Sequence, residues 1–387
     1  MCICHILGIV KEVNYLLIEI KKFHIQILIL ILRTLVIAIA GALIANFIHL
    51  PIPWLLGSMV SVLIASRMGL KLYWPRRMRD IAIVIVGYSI GLSFTKDALR
   101  LILIQLPSIF LATIFIIGFC VALAYLISKI TGLDYPSVLI GSIPGGLSQM
   151  LLLGEEIKGV NLSIVTFLQV SRLILIIIFV PLLVFSPLVK NGSTNASMVI
   201  HSPTITLVDL FPNILVFIPV VLLSIILAKK FKFPTPYLVG PIFGTAIVGL
   251  VGFQGPSLPS SVLDVSQLMI GSYIGLLIHF EEIEHKLKMV GVAISSGVLL
   301  LLGSWGLSWL FAHMKHISFS TSALSLAPGG MDQMGIIAAE IHADLSIVAG
   351  YQLFRLFFIF FVVPPILRIF IHHLYRKKGL EPHKIEV

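Results

Sequence analysis

The chain has 387 residues, 58% of them hydrophobic and 11% charged, with a mean hydropathy of +1.08. A soluble globular domain carries about 25% charged residues, so this composition excludes that class. The formal net charge of +10 is spread over short loops and the two ends, where positive-inside bias explains it without a nucleic-acid partner.

Successive apolar runs of bilayer length, roughly 17 to 25 residues, without the alternation of a barrel strand, predict an all-α polytopic membrane protein. Residues 1–24 come first and contain Lys11, Lys21 and Lys22. They read as a cytoplasmic or interfacial segment, with 6–20 lying on the membrane surface, or as an over-extended start. The run from Ile25 carries Arg33 and lacks a small-residue cleavage site, so it reads as a retained transmembrane helix rather than a signal peptide. A first membrane repeat, 25–187, holds apolar segments at about 25–48, 53–66, 80–95, 98–128, 136–155 and 161–187. A turn-rich linker, 188–208, contains Asn191-Gly192-Ser193-Thr194-Asn195. The second repeat, 209–373, holds segments at about 209–228, 236–251, 262–280, 288–312, 320–340 and 345–372, and a basic tail, 374–387, contains Arg376-Lys377-Lys378.

The repeat is read from landmarks in one order at one spacing. Pro51-Ile52-Pro53-Trp54-Leu55-Leu56-Gly57 returns as Pro234-Thr235-Pro236-Tyr237-Leu238-Val239-Gly240. Asp80 with Gly87-Tyr88-Ser89-Ile90-Gly91 returns as Asp264 with Gly271-Ser272-Tyr273-Ile274-Gly275. Pro144-Gly145-Gly146-Leu147-Ser148-Gln149-Met150 returns as Pro328-Gly329-Gly330-Met331-Asp332-Gln333-Met334. Leu162-Ser163-Ile164-Val165, Gln169, Arg172 and Pro181 return as Leu345-Ser346-Ile347-Val348, Gln352, Arg355 and Pro364.

Charge assigns orientation. The loop after the second segment carries Arg67, Lys71, Arg76, Arg77 and Arg79, whereas in the second repeat Lys229, Lys230 and Lys232 follow the first segment. If cytoplasmic loops hold the Lys and Arg, the copies are inverted, with both termini inside. Inversion requires an odd number of crossings per copy. Each copy then has about five transmembrane helices plus one broken or re-entrant Pro-Gly-Gly segment. The alternative, twelve full crossings in parallel repeat, leaves the swapped charge unexplained.

A Pro-Gly-Gly run interrupts a helix. In lipid such a break survives only where protein or a water-filled cavity covers the freed backbone groups, and paired breaks in two repeats point to a binding site. Gly145, Gly146, Ser148, Gln149, Gly329, Gly330, Asp332 and Gln333 are therefore the candidate substrate-binding residues. Ser148 and Asp332 suit an N-cap. They also suit a half-helix N-terminus that meets an anion, while Asp332 suits a proton or sodium ion. Gln149 and Gln333 line a solute path or bond across helices. Glu156 and Glu340 read as solvated helix ends. Gln169 with Arg172, and Gln352 with Arg355, share a helix face at i, i+3. They are supporting residues: a structural clamp onto helix-end carbonyls or onto Asp80 and Asp264, or an anion ligand.

The histidines and Cys2, Cys4 and Cys120 supply no metal-ligand set, and no nucleotide fingerprint occurs. No cofactor beyond a coupling proton or sodium ion is expected.

The duplicated Pro-Gly-Gly-x-x-Gln-Met motif, each copy followed by an acid, a Leu-Ser-Ile-Val run and Gln-x-x-Arg, resembles the AbrB-type membrane family over about Leu35 to Leu367. Proteins of this duplicated family are often labelled ammonia monooxygenase. Members often show an acid where this chain has Gln149 and Gln333, which moves weight to Asp332. The resemblance leaves three readings. The first is an ion-coupled secondary transporter of a small polar or anionic solute in the cytoplasmic membrane, partnered by lipid and solute. The second is a membrane-embedded regulator of gene expression without transport. The third is a metal monooxygenase, for which the ligand set is missing.

Overall fold

The computed structural model describes residues 2–145, 147–157, 159–185, 214–253, 255–277, 286–315 and 317–377. Within them the side chains of 2–24, 147–149, 152, 214, 286–290, 372 and 374–377 lie outside the description. The expected linker 188–208 and the end of the basic tail also fall outside it.

Fifteen helices and no strand occur among the described residues. The first seven are α1 (Cys2–Phe47), α2 (Pro53–Arg67), α3 (Arg76–Leu92), α4 (Lys96–Thr131), α5 (Tyr135–Ser142), α6 (Leu147–Glu156) and α7 (Leu162–Val184). The other eight are α8 (Ile214–Lys230), α9 (Pro236–Val251), α10 (Ser260–Leu276), α11 (Lys286–Lys315), α12 (Phe319–Leu326), α13 (Met331–Glu340), α14 (Leu345–Phe361) and α15 (Val363–Lys377).

Local chemistry sets these boundaries. Thr95 caps α4 by accepting from the Ala98 amide at 3.2 Å, and Gly132, at φ 74°, ends it. Asp134 and Ser318 cap α5 and α12, and Asn161 and Asp344 cap α7 and α14. Helices α5 and α12 stop just before Pro144 and Pro328, because a residue preceding proline is pushed out of the helical region.

The backbone repeats where side chains differ. Left-handed φ occurs at His49 and Lys232, Ile52 and Thr235, Gly69 and Gly252, and Gly159 and His342, each pair 183 residues apart. Ile52 and Thr235 are the N-caps of α2 and α9, held at φ 49° and 43° between two prolines. A β-branched residue in that region costs on the order of 1–3 kcal/mol, so its recurrence marks one local fold built twice.

Four helical stretches are long and apolar enough to cross a membrane: Ile25–Phe47, Lys96–Thr131, Leu162–Val184 and Gly291–Lys315. Leu345–Phe361 with Val363–Ile371 makes a fifth, bent by 41°. The sequence suggests one segment over 345–372, but Pro364 and Pro365 stand where the first copy has a single proline, Pro181, inside an unbroken α7. A second proline removes a second backbone donor, which accounts for the bend. Helices α2, α3, α9 and α10 have 15 to 17 residues. At 1.5 Å per residue they reach about 23–26 Å, less than a hydrocarbon core of about 30 Å.

The chain forms two compact units that do not follow the sequence repeats. One comprises 1–80 and 267–277, the other 81–266 and 278–387. In the first, α1 lies along α2, and Ala38, Ala42, Val62 and Leu268 form the core. In the second, α4 and α11 pack on each other, α4 also packs on α5 and α14, and α11 on α12 and α7. Cys120, Leu139, Ile143, Met150, Val165 and Tyr351 belong to its large core.

Glycines decide how α3 and α10 pack. A side chain at Gly87 or Gly91 would run into α9, meeting the Leu238 carbonyl at 2.8 Å and Thr245 Cβ at 2.7 Å. One at Gly275 would meet the Met59 carbonyl of α2 at 2.6 Å, and Gly271 lies against Leu55 and Ser58. Each copy's Gly-x-x-x-Gly face therefore packs on the second helix of the other copy, α9 or α2, the close approach that small residues permit between membrane helices.

Candidate functional site

The site is built on two helices that end inside the second unit with nothing to continue them. The last turn of α5 leaves carbonyls without intrahelical donors, and burial makes each of them costly. Gln169 on α7 answers from the side: its Nε2 donates to the Ile140 and Ile143 carbonyls at 3.0 and 2.9 Å. Arg172 Nη1 donates to the Gly141 and Ser142 carbonyls at 3.5 and 3.1 Å, and its Nη2 donates to Gln169 Oε1 at 2.7 Å. The second copy repeats the arrangement. Gln352 Nε2 donates to the Leu324, Ser325 and Ala327 carbonyls at 2.7, 3.5 and 3.2 Å. Arg355 Nη1 donates to Leu326 and Ala327 at 3.4 and 2.8 Å, and Nη2 donates to Gly329 at 3.1 Å and to Gln352 Oε1.

All four side chains are buried. A guanidinium at a helix C-terminus offsets the negative end of the dipole, which is how a charge is kept away from water without a carboxylate partner. The two arginines are near enough for their charges to interact with each other and with the Cys120 thiol. Asp80 pairs with its neighbour Arg79, at 3.7 Å. Arg355 directs its Nη hydrogens to backbone and Gln352, which leaves it a charge but few donors for an anion.

The breaks themselves are short. A side chain at Gly145 would meet Met150 Cε at 2.6 Å, and one at Gly329 would meet Met334 Cε at 2.7 Å and Ile176 Cγ2 at 2.9 Å. Each motif methionine thus folds back over the first glycine of its own break, and both methionines are fully buried. Sequence reasoning missed this role, although the five-residue spacing recurs in both copies.

Helix α13 starts at the second break with Gly330 as its N-cap, at φ −74°. That φ suits any residue, and the space beside Gly330 is filled by the ends of two neighbouring side chains. A side chain there would collide with Gln333 Oε1 and come within 2.6 Å of Asp332 Oδ1. Gln333 Nε2 donates to Asp332 Oδ2 at 3.0 Å, while its Oε1 is buried with no hydrogen-bond partner. The structure therefore brings together Gly329, Gly330, Asp332 and Gln333, with Gln352 and Arg355 behind them. Gly146 and the side chains of Ser148 and Gln149 lie outside the described residues. Glu156 and Glu340 are exposed at the ends of α6 and α13, and Glu156 pairs with Arg368 of α15.

Sequence reading also passed over Tyr351, whose buried hydroxyl has no partner. The signal available was an asymmetry, since the first copy has Leu168 at that place. A small cleft beside Pro328 is lined by Phe115, Phe119, Leu300, Gly303 and Leu307 and is apolar. Among the described residues no three His, Cys, Asp or Glu side chains group as a metal set.

A family model described as "Transition state regulatory protein AbrB" matches residues 54–371 of this chain, which is most of its length. The chain belongs to the AbrB family. Within the AbrB family it is similar to "Uncharacterized protein YhjN" of Bacillus subtilis (strain 168), with 27% identity over 367 residues, 88% of this chain and 93% of that protein. It is also similar to "Putative regulator AbrB" of Escherichia coli (strain K12), with 25% identity over 321 residues, 83% of this chain and 90% of that protein. The AbrB match begins at Trp54, near the start of α2, and so takes in both Pro-Gly-Gly breaks and both Gln-x-x-Arg clamps.

Proposed function

We propose that the protein is an ion-coupled secondary transporter of a small polar or anionic solute in the cytoplasmic membrane. Its two inverted repeats, 25–187 and 209–373, each carry one broken segment, and both termini face the cytoplasm. The observation that carries the reading is the buried Gln333 Oε1, left without a partner beside Asp332 where α13 begins in mid-chain. A buried amide oxygen without a partner costs about 1–3 kcal/mol. In a helix set long and apolar enough for a bilayer, a polar group of this kind beside an acid at a helix break supports a ligand path. Ser148 and Gln149 are the corresponding residues of the first break. Arg172 and Arg355 hold the helix ends open rather than serving as the solute's direct ligands.

The names of the family and of one relative favour a second reading, a membrane-embedded regulator that moves nothing. Reconstituting the purified chain in vesicles and measuring currents or uptake over a panel of small polar and anionic solutes, under proton and sodium gradients, separates the two. Transport by the wild type that falls at least tenfold in Asp332→Asn supports the transporter. Flux in neither form, together with altered gene expression on deletion, supports the regulator.

A further inference from the structure

We propose that Asp332 and Gln333 form an acid–amide pair that takes up the coupling proton; this rests on the transporter reading and names its ion. The ionised pair makes one of the two bonds possible between them, Gln333 Nε2 donating to Asp332 Oδ2 at 3.0 Å. The other two oxygens, Gln333 Oε1 and Asp332 Oδ1, both lie against the point where a side chain at Gly330 would begin. Two acceptors face one place, and Oε1 lacks a donor. A proton delivered from water to Asp332 Oδ1 turns the carboxylate into a carboxyl group, whose O–H donates to Gln333 Oε1. The pair then closes as a ring with two hydrogen bonds, and no other bond forms or breaks. Protonation supplies the partner that the buried amide oxygen otherwise lacks.

Sodium fits the place less well. At a helix break it draws ligands from unwound carbonyls. Here the Leu326, Ala327 and Gly329 carbonyls accept from Arg355, and the Gly330 carbonyl accepts from the Met334 amide. Gln333 stands at the third helical position, from which a side chain can reach back to the N-cap amide as a capping box. Its Oε1 lies beside Gly330 without making that bond, so capping does not account for it.

Among the described residues, the titratable and charged groups on the elements packed around the pair are few. Helix α14 brings Tyr351 and Arg355, and α12 brings none. Behind them lie Arg172 on α7, near Arg355, and Cys120 on α4. Tyr88 is on α3, which touches α13 through Ile90 and Gly335. Glu340 and Asp264 influence each other at the far end of α13.

The test is infrared difference spectroscopy of the full chain in lipid nanodiscs between neutral and acid pH, in sodium-free and then sodium-containing buffer. The expected result is a carboxyl C=O band that appears on acidification and vanishes in Asp332→Asn. In Gln333→Leu the band moves to the position of a weakly hydrogen-bonded acid. The proposal falls if Asp332→Asn keeps every band, if Gln333→Leu leaves the band in place, or if sodium abolishes it at constant pH. Should Asp332→Asn not yield folded protein, the Gln333→Leu spectrum decides alone. Sodium-driven flux without the band would sink the proton pair and leave transport standing; the band without any flux would do the reverse.

Discussion

Arg355 shows what a single side chain does in this fold. It donates to three backbone carbonyls and to Gln352, all inside a buried region, so removing it orphans a helix end. Arg355→Met should lower stability by about 3 kcal/mol, the loss expected when two or three buried acceptors lose their donors. Arg355→Lys should recover less than half of that, because an ammonium cannot span the same fork of carbonyls. Thermal unfolding in detergent measures both, and equal stability of Arg355→Met and wild type would show that the carbonyls find other donors. The spacing Gln-x-x-Arg was legible as one helix face, and the sequence left clamp and anion ligand both open. The carbonyls it meets lie 25 to 31 residues earlier in the chain, and no local pattern states that distance.

Among the helices, the glycine pairs of α3 and α10 set the closest contacts. Gly91→Leu would drive a side chain into the Ile242 carbonyl, 2.8 Å from where a Cβ would sit, and into Thr245. The backbone cannot yield cheaply, so the cost should be at least about 2 kcal/mol, of the order seen for overpacking. Gly118 on α4 has open space where a side chain would begin, with no heavy atom of a neighbouring element within 4 Å. Gly118→Ala should therefore be neutral or stabilise by up to about 1 kcal/mol, through helix propensity alone. Folded yield and melting temperature of the two variants check this, and equal losses would show that contact with a neighbouring helix does not decide which glycines can be replaced. The motif was visible as a repeat in sequence. That each pair packs on the other copy's second helix was not, since spacing along one helix does not name its neighbour.

At the scale of the whole molecule the proposed inversion of the repeats makes the sharpest prediction. In a background lacking Cys2, Cys4 and Cys120, single cysteines replacing Arg77 and Lys230 should label from the cytoplasmic face, and those replacing His49 and Ser257 from the opposite face. Labelling of Arg77→Cys and Lys230→Cys from opposite faces would restore the parallel arrangement. Composition alone determined the class, because 11% charge across 387 residues leaves too little polar surface for a water-exposed fold. Landmark spacing determined the duplication, and prolines and capping residues determined where most helices start and stop, because those choices are made within a few residues. Tertiary structure alone decided which carbonyls the arginines hold, which helix each glycine pair meets, and that Gln333 Oε1 is left without a donor. Those are contacts between residues far apart in the chain, and packing selects them.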